Sequence, residues 1–318
     1  LTNPRTHATM VATQEEKKQK TCPRETYQQF CAAKFGSGST TTVQSYQKDD
    51  ALKKELREKF HAACDSFGFD QVDAPYDATA ALFADNTTLA ELYNVRPKGE
   101  GSAKSGASST AHRSGVTYDE GLACAAMVEH FKVSDALEIG LAYGHSALFT
   151  ACALPAHGTL VAVDPAQAMG ADEGGWEDKG AQVVRDCKLP HGGHAKFTCL
   201  YEKDTVALPR LVEQGKRIQF CFIDGLHTFD YTMLDAFYAD QMLDVGGVLA
   251  FDDIGYPPVQ KAILYFLANR NYKLLRLTDP KFAEASFWRV MFLIKVAEDD
   301  PVGRDGARPG IPAPLFTF

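Results

Sequence analysis

Apolar runs of strand length alternate with amphipathic segments of helix length between residues 117 and 297, and this alternation limits the fold more than any other feature. A chain of this pattern builds a parallel sheet covered by helices. We predict strands at residues 136–140, 159–164, 196–201, 218–224 and 248–252. We predict helices near residues 119–131, 145–153, 205–214, 230–242 and 257–268. The predicted fold class is therefore α/β.

The segments on either side of these elements differ from them in composition. Two apolar runs, 272–277 and 287–296, have no helical pattern between them and predict an antiparallel hairpin at one sheet edge. Residues 1–96 are predicted to form an N-terminal arm and helical region, with one amphipathic helix at 50–67. Residues 97–116, rich in Gly and Ser, predict a flexible linker or loop, and 298–318 predict a Pro-rich tail.

Charge and cysteine content exclude several classes of protein. The net charge of −8 gives no general attraction for nucleic acid or for an anionic membrane surface, so neither partner is expected. No apolar stretch reaches the ~18 residues that a transmembrane helix needs. The eight cysteines form no C-x-x-C pair, which favours reduced thiols and a cytoplasmic location over a disulfide framework.

The loop after the first of these strands carries two glycines where a ligand would approach the backbone. Gly140 and Gly144 are spaced G-x-x-x-G, so the dinucleotide fingerprint is absent and NAD is disfavoured. Glu138 beside them suits a ligand with an ammonium group, such as the methionine part of S-adenosylmethionine. Asp164 follows Gly144 at the offset of about 20 residues typical of an acidic ribose ligand. A tight turn without a ligand is the alternative.

These motifs resemble those of class I S-adenosylmethionine-dependent methyltransferases, specifically the caffeoyl-CoA and catechol O-methyltransferase-like group. The resemblance is carried by residues 119–121 (Asp-Glu-Gly), 137–140 (Leu-Glu-Ile-Gly), 143–146 (Tyr-Gly-His-Ser), 153–155 (Ala-Leu-Pro), Asp164 and 222–253. It implies a Rossmann-like fold with an N-terminal helical extension, and a methyltransferase domain over 117–297. It also implies that Ser146 holds the methionine carboxylate, Glu138 the amine and Asp164 the ribose, with Tyr143 in the same cofactor motif.

Three carboxylates follow two successive predicted strands. Asp224 ends one strand, and Asp252 and Asp253 end the next, so they are expected to converge at the sheet edge. Crowded carboxylates repel one another unless a cation neutralises them, and oxygen ligands favour Mg²⁺, with Ca²⁺ or Mn²⁺ next. The resembled group carries Asp, Asp and Asn here, so the second Asp of the pair is a departure. The alternative is that these side chains cap turns and bind loop amides.

Two further side chains are candidates for the site. His227 lies where the catechol-type enzymes place a lysine, and it can accept a hydroxyl proton; a surface or packing histidine is the alternative. Trp176 follows the second strand, and we expect its ring to pack on the adenosine or to shield the substrate. Packing of its own loop alone is the alternative. The pair His191 and His194 predicts a Gly-rich turn rather than a second metal site.

Together these features predict an S-adenosylmethionine-dependent methyltransferase in which a divalent metal assists O-methylation of a small hydroxylated molecule. The catalytic residues would be His227 and Asp224, and the metal ligands Asp224, Asp252 and Asp253. A homodimer is the expected assembly. The alternatives are a metal-independent N-, S- or C-methyltransferase and a non-catalytic nucleoside-binding scaffold. The acceptor itself cannot be identified from these residues.

Overall fold

A computed structural model describes residues 50–65, 69–72, 115–187, 195–277 and 289–298. The predictions for 1–49, 97–114 and 299–318, and those for His191 and His194, lie outside the described residues. The predicted amphipathic helix is present as α1 (Asp50–Asp65), in a compact unit separate from that of the sheet. The apolar residues Leu52, Phe60 and Ala63 of this helix are buried.

The second unit is built on an eight-stranded sheet of order β1-β7-β8-β6-β5-β2-β3-β4. The strands are β1 (Phe69–Val72), β2 (Asp135–Ile139), β3 (Thr159–Val163), β4 (Lys196–Leu200), β5 (Ile218–Ile223), β6 (Leu243–Phe251), β7 (Tyr272–Leu277) and β8 (Met291–Lys295). All neighbouring pairs are parallel except those of β8, which is antiparallel to both β6 and β7. The predicted α/β, Rossmann-like sheet with an antiparallel pair is confirmed.

The helices of this unit fall into two packed groups. They are α2 (Tyr118–His130), α3 (His145–Ala153), α4 (Lys179–Asp186), α5 (Asp204–Glu213), α6 (Phe229–Met242) and α7 (Pro257–Asn269). Helix α3 packs against α2 and α4, whereas α6 packs against α5 and α7. The chain reverses its direction of travel across the sheet between β4 and β5, so the two groups are expected on opposite faces. No helix in the described ranges is long and apolar enough to cross a membrane.

Two strands and one helix differ from the sequence prediction. Strand β1 pairs in parallel with β7, although it lies within the segment predicted as an N-terminal arm and helical region. Its four residues are too few to show a recognisable alternation. Strand β6 begins at Leu243. The prediction began it at residue 248, because the glycines at 246 and 247 interrupt the apolar run. Helix α4 was missed because it has only eight residues.

Close packing between α2 and α3 places the cofactor-motif helix α3 against the rest of the unit. A Cβ at Gly121 would lie only 2.2 Å from Cδ2 of Phe149, a buried ring on α3. The two helices therefore approach at a distance that glycine permits and a larger residue does not.

We expect Gly121→Ala to destabilise the protein by about 2 kcal/mol, because it overpacks the α2–α3 contact. In thermal denaturation the midpoint should fall by about 5 °C. Phe149→Leu in the same chain should recover part of this loss relative to the sum of the single changes, because it removes ring atoms at the contact. Additive losses in the double variant would contradict this packing account.

Candidate active site

Four predicted site residues lie in one row across the carboxyl ends of four adjacent strands. Each is the first residue after its strand, and its N–H donates to the carbonyl of the last residue of the neighbouring strand, at 2.8 to 3.1 Å. In order across the sheet they are Asp252, Asp224, Gly140 and Asp164. Backbone pairing that continues past the strand ends therefore brings these residues together, at the point where the strand order reverses and ligands bind in such sheets.

Both glycines of the first loop are required by their positions. Gly140 has φ of +86°, and a Cβ there would lie 2.0 Å from the backbone oxygen of Asp224. Gly144 has φ of +79°, and a Cβ there would lie 2.7 Å from the oxygen of Gly180 in α4. A side chain at either residue would separate backbone segments that now touch, so the loop closes only with glycine.

Glu138 is fully buried, and it is held by the first turn of α3. The Ser146 hydroxyl donates to Glu138 Oε1 at 2.6 Å, and Oε2 has no hydrogen-bond partner among the described residues. Burial raises the pKa of Glu138 to about 8, with smaller contributions from the charges of Asp224 and Asp164, while the Ser146 bond opposes the shift. A ligand ammonium group would satisfy the free oxygen and favour the ionised form.

Asp164 holds the glycine loop in addition to its predicted ribose role. Its Oδ2 accepts from the N–H groups of Leu141 and Ala142, at 3.2 and 3.0 Å, and from Gln167 Nε2 at 3.1 Å. Its Oδ1 accepts from the Ala166 N–H at 2.8 Å. Sequence analysis missed this bracing, which lets one carboxylate fix the loop of β2 from the end of β3. Ribose binding by Asp164 stays a prediction.

A cavity of about 400 Å³ opens beside these strand ends. Of the predicted residues, Gly140, Asp164, Trp176 and Asp224 line it. The other predicted residues, Glu138, Tyr143, Gly144, Ser146, His227, Asp252 and Asp253, are not among its lining residues. Sequence analysis missed Lys203, Asp204 and Tyr231, which also line the cavity. Lys203 and Asp204 come shortly after β4, so the rule that strand ends carry ligands could have found them.

Trp176 contacts a second aromatic ring and also lines the cavity. Its ring lies edge to face with that of Tyr143, with ring centroids 5.0 Å apart, and the indole lines the cavity. The contact therefore packs the loop of Trp176 against the glycine loop, and the Trp176 indole offers an aromatic wall to a ligand in the cavity.

Asp224, His227 and Asp253 form a cluster at the edge of the cavity. His227 Nε2 lies 3.3 Å from Asp224 Oδ1 and 3.2 Å from Asp253 Oδ2, and the imidazole stacks on the ring of Tyr256 at 5.1 Å between centroids. One ligand atom from each of the three cluster residues lies within 4.8 Å of the others, a spacing that suits a metal ion. The structure therefore brings the predicted base and two of the three predicted metal ligands together.

The third predicted ligand, Asp252, lies deeper than this cluster. It is buried, and its Oδ1 has no hydrogen-bond partner among the described residues. Burial and the charges of Asp224 and Asp253 raise the pKa of Asp252 well above its usual range. Burial also raises the pKa of Asp224 to about 6. Burial alone would lower the pKa of His227, but its contact with Asp224 and the charge of Asp253 raise it.

We expect Glu138→Gln to change the dependence of stability on pH. The folded protein keeps the Glu138 proton up to a pKa of about 8, whereas a carboxyl of ordinary pKa, 4.5, releases it in the unfolded chain. The folded state thus binds more protons across that window, and its stability falls as pH rises through it. Thermal denaturation from about pH 5 to about pH 8 should show the variant gaining stability over the wild type.

The same variant tests the role of Glu138 in ligand binding. Because the amide carries no charge, calorimetry should show S-adenosylhomocysteine binding at least about tenfold more weakly. Glu177→Gln, on the exposed surface, is the control and should change neither property. A stability difference between wild type and Glu138→Gln that stays the same at every pH would contradict the buried, protonated state of Glu138.

Comparison with solved structures gives similar folds at low identity. The O-methyltransferase TomG of Streptomyces achromogenes, solved in complex with S-adenosylmethionine, is 16% identical, with a TM-score of 0.44 over 59% of this chain and 87% of that chain. A protein of Klebsiella pneumoniae described as an O-methyltransferase is 14% identical, with a TM-score of 0.48 over 70% of this chain and 97% of that chain.

Sequence comparison is more specific. Residues 137–254 match the model of a methyltransferase domain family. A protein of Arabidopsis thaliana named as a caffeoyl-CoA O-methyltransferase is 28% identical over 140 residues, and a flavonoid 3',5'-methyltransferase of Vitis vinifera is 26% identical over 147 residues. Each alignment covers 43% of this chain, and the chain spans about half (54%) of each curated relative. The matched region is a class I S-adenosylmethionine-dependent methyltransferase domain, related to the caffeoyl-CoA O-methyltransferase-like enzymes.

Proposed function

We propose that the chain transfers a methyl group from S-adenosylmethionine to a hydroxyl oxygen of a small molecule, with a divalent cation bound at the acidic cluster. The observation that carries this proposal is the cluster of Asp224, His227 and Asp253 at the edge of the cavity, which Asp224 also lines. It supports the proposal because the reaction needs a proton acceptor and oxygen ligands for a cation, and a histidine and two carboxylates lie together beside the cavity. The names of the two relatives support oxygen as the acceptor atom.

The donor set fits a divalent cation. Asp224, Asp252 and Asp253 offer hard oxygen ligands, and Asp252 Oδ1 is buried without a hydrogen-bond partner among the described residues. Two cationic side chains, Arg289 and His227, lie close to these three carboxylates and to the buried Glu120. Burial and mutual repulsion raise the pKa of Asp252 well above its usual range and that of Asp224 to about 6, and a divalent cation would stabilise the ionised forms of both.

Each part of the site has a separate task in the proposed reaction. Glu138 and Ser146 hold the amino-acid end of the donor, Asp164 its ribose, and Trp176 forms an aromatic wall of the cavity. S-adenosylmethionine, when bound, supplies a methyl group on an electrophilic sulfonium. A bound cation supplies Lewis acidity toward the acceptor oxygen.

Proton removal falls to His227. In the neutral imidazole the Nε2–H donates to Asp224 and Asp253, so the other ring nitrogen accepts the hydroxyl proton, and the two carboxylates stabilise the resulting imidazolium. Stacking on Tyr256 fixes the plane of the ring. The protein thus positions reactants and moves one proton, which is where most of its contribution to the rate would lie.

One observation favours a second candidate, methyl transfer without a metal. His227 already contacts both Asp224 and Asp253, an arrangement that activates a histidine base with no cation present. The two candidates share the methyl donor and differ only in the cation.

We expect chelation to separate these candidates. Methyl transfer from labelled donor to caffeoyl-CoA and to a hydroxylated flavonoid should be lost in EDTA and restored by excess Mg²⁺, because a bound cation would lower the pKa of the acceptor hydroxyl. Apparent donor affinity should change little under either condition. Turnover that persists unchanged in EDTA, after removal of trace metal, would favour the metal-free candidate.

We expect His227→Gln to lower kcat about 100-fold, because the amide keeps a polar side chain but cannot accept the proton. Calorimetry should show unchanged binding of S-adenosylhomocysteine. His130→Gln, at the end of α2 and away from the cluster, is the matched control and should keep full activity. A variant at 227 with wild-type kcat would remove His227 from the mechanism.

A further inference from the structure

Arg289, the second residue before β8, reaches the acidic cluster from a part of the chain that the proposed function does not use. Its Nη2 lies 3.6 Å from Asp253 Oδ1, while the other carboxylate oxygen, Oδ2, lies 3.2 Å from His227 Nε2. The two oxygens of Asp253 therefore face two different nitrogen-bearing side chains. Within the described residues, Arg289 is the one Arg or Lys side chain paired with Asp253.

Helix α2 anchors the other side of this guanidinium. Glu120, 1% exposed, contacts Arg289 Nε through Oε1. Its second oxygen accepts from the Thr117 N–H, and the Thr117 hydroxyl accepts from the Glu120 N–H in a capping box. The helix cap thus holds Glu120 in place, and the planar guanidinium of Arg289 bridges Glu120 and Asp253.

The backbone at Asp253 has an uncommon conformation and lies against the backbone of Arg289. Asp253 has φ of +51°, an uncommon conformation for a residue other than glycine. The N–H of the next residue, Ile254, donates to the carbonyl of Arg289 at 3.0 Å. Arg289 therefore contacts the turn through both its backbone and its side chain.

From these contacts we infer that Arg289, anchored by Glu120, is a positioning residue that orients the Asp253 carboxylate toward the cation site and His227. The inference rests on the proposed function, since Asp253 is there a metal ligand. Groups that orient a ligand in this way commonly contribute about 10- to 100-fold to metal affinity.

The test is a titration of the full chain with Mn²⁺ alone, followed by electron paramagnetic resonance, without cofactor or acceptor. Arg289→Lys keeps the charge but loses the fork that spans Glu120 and Asp253. We expect it to weaken Mn²⁺ binding about tenfold. Glu120→Gln should weaken binding in the same direction, and the effect of Arg289→Lys should shrink in that background, because both changes break one contact path.

Controls separate positioning from other roles. Arg217→Lys, which perturbs an ion pair with Asp244 on the exposed surface, should leave Mn²⁺ binding unchanged. Thermal denaturation and S-adenosylhomocysteine calorimetry report whether each variant is folded. A folded Arg289→Lys protein with wild-type Mn²⁺ affinity would overturn the inference while the proposed function stands. A wild-type chain that binds no Mn²⁺ would overturn the proposed metal site and the inference with it.

Discussion

One backbone contact holds the two halves of the site together. Gly140, after β2, touches the backbone oxygen of Asp224, after β5, at a distance that excludes any Cβ. The contact joins the glycine loop to the acidic cluster at the point where the strand order reverses. The cavity, the buried Glu138 and the cluster around His227 all follow from this alignment, because each is attached to one of these two strand ends or to its neighbour.

The site concentrates negative charge in a buried setting, and this conflicts with stability. Burial raises the pKa of Glu138 to about 8 and of Asp224 to about 6, and it raises that of Asp252 well above its usual range. Buried carboxyl oxygens without partners cost free energy that ligands can recover. The strained φ of Asp253 belongs to the same pattern, since uncommon backbone conformations cluster at functional sites.

Strand ends were predictable because both the apolar runs and the polar residues that follow them are local in sequence. The convergence of Asp224 and Asp252 could be expected from the pattern alone, whereas their alignment with Gly140 and Asp164 depends on the strand order, which the pattern does not give. What could not be predicted depends on contacts between distant segments. Arg289 reaches Asp253 and Glu120 only through the tertiary fold, and nothing in its local sequence distinguishes it from a surface arginine.

Two further misses show the same limit at the level of side chains and short elements. The bracing of the glycine loop by Asp164 depends on side-chain direction, which spacing does not give. The four-residue β1 has no pattern of its own, and only its pairing with β7 makes it a strand.

Isothermal titration calorimetry with S-adenosylhomocysteine and, in parallel, NAD would show whether the strand-end cavity takes the methyl donor. Titration at two temperatures guards against a binding enthalpy that passes through zero. We expect saturable binding of one S-adenosylhomocysteine per chain and no binding of NAD. Absence of heat with S-adenosylhomocysteine at both temperatures, or saturable binding of NAD instead, would contradict it.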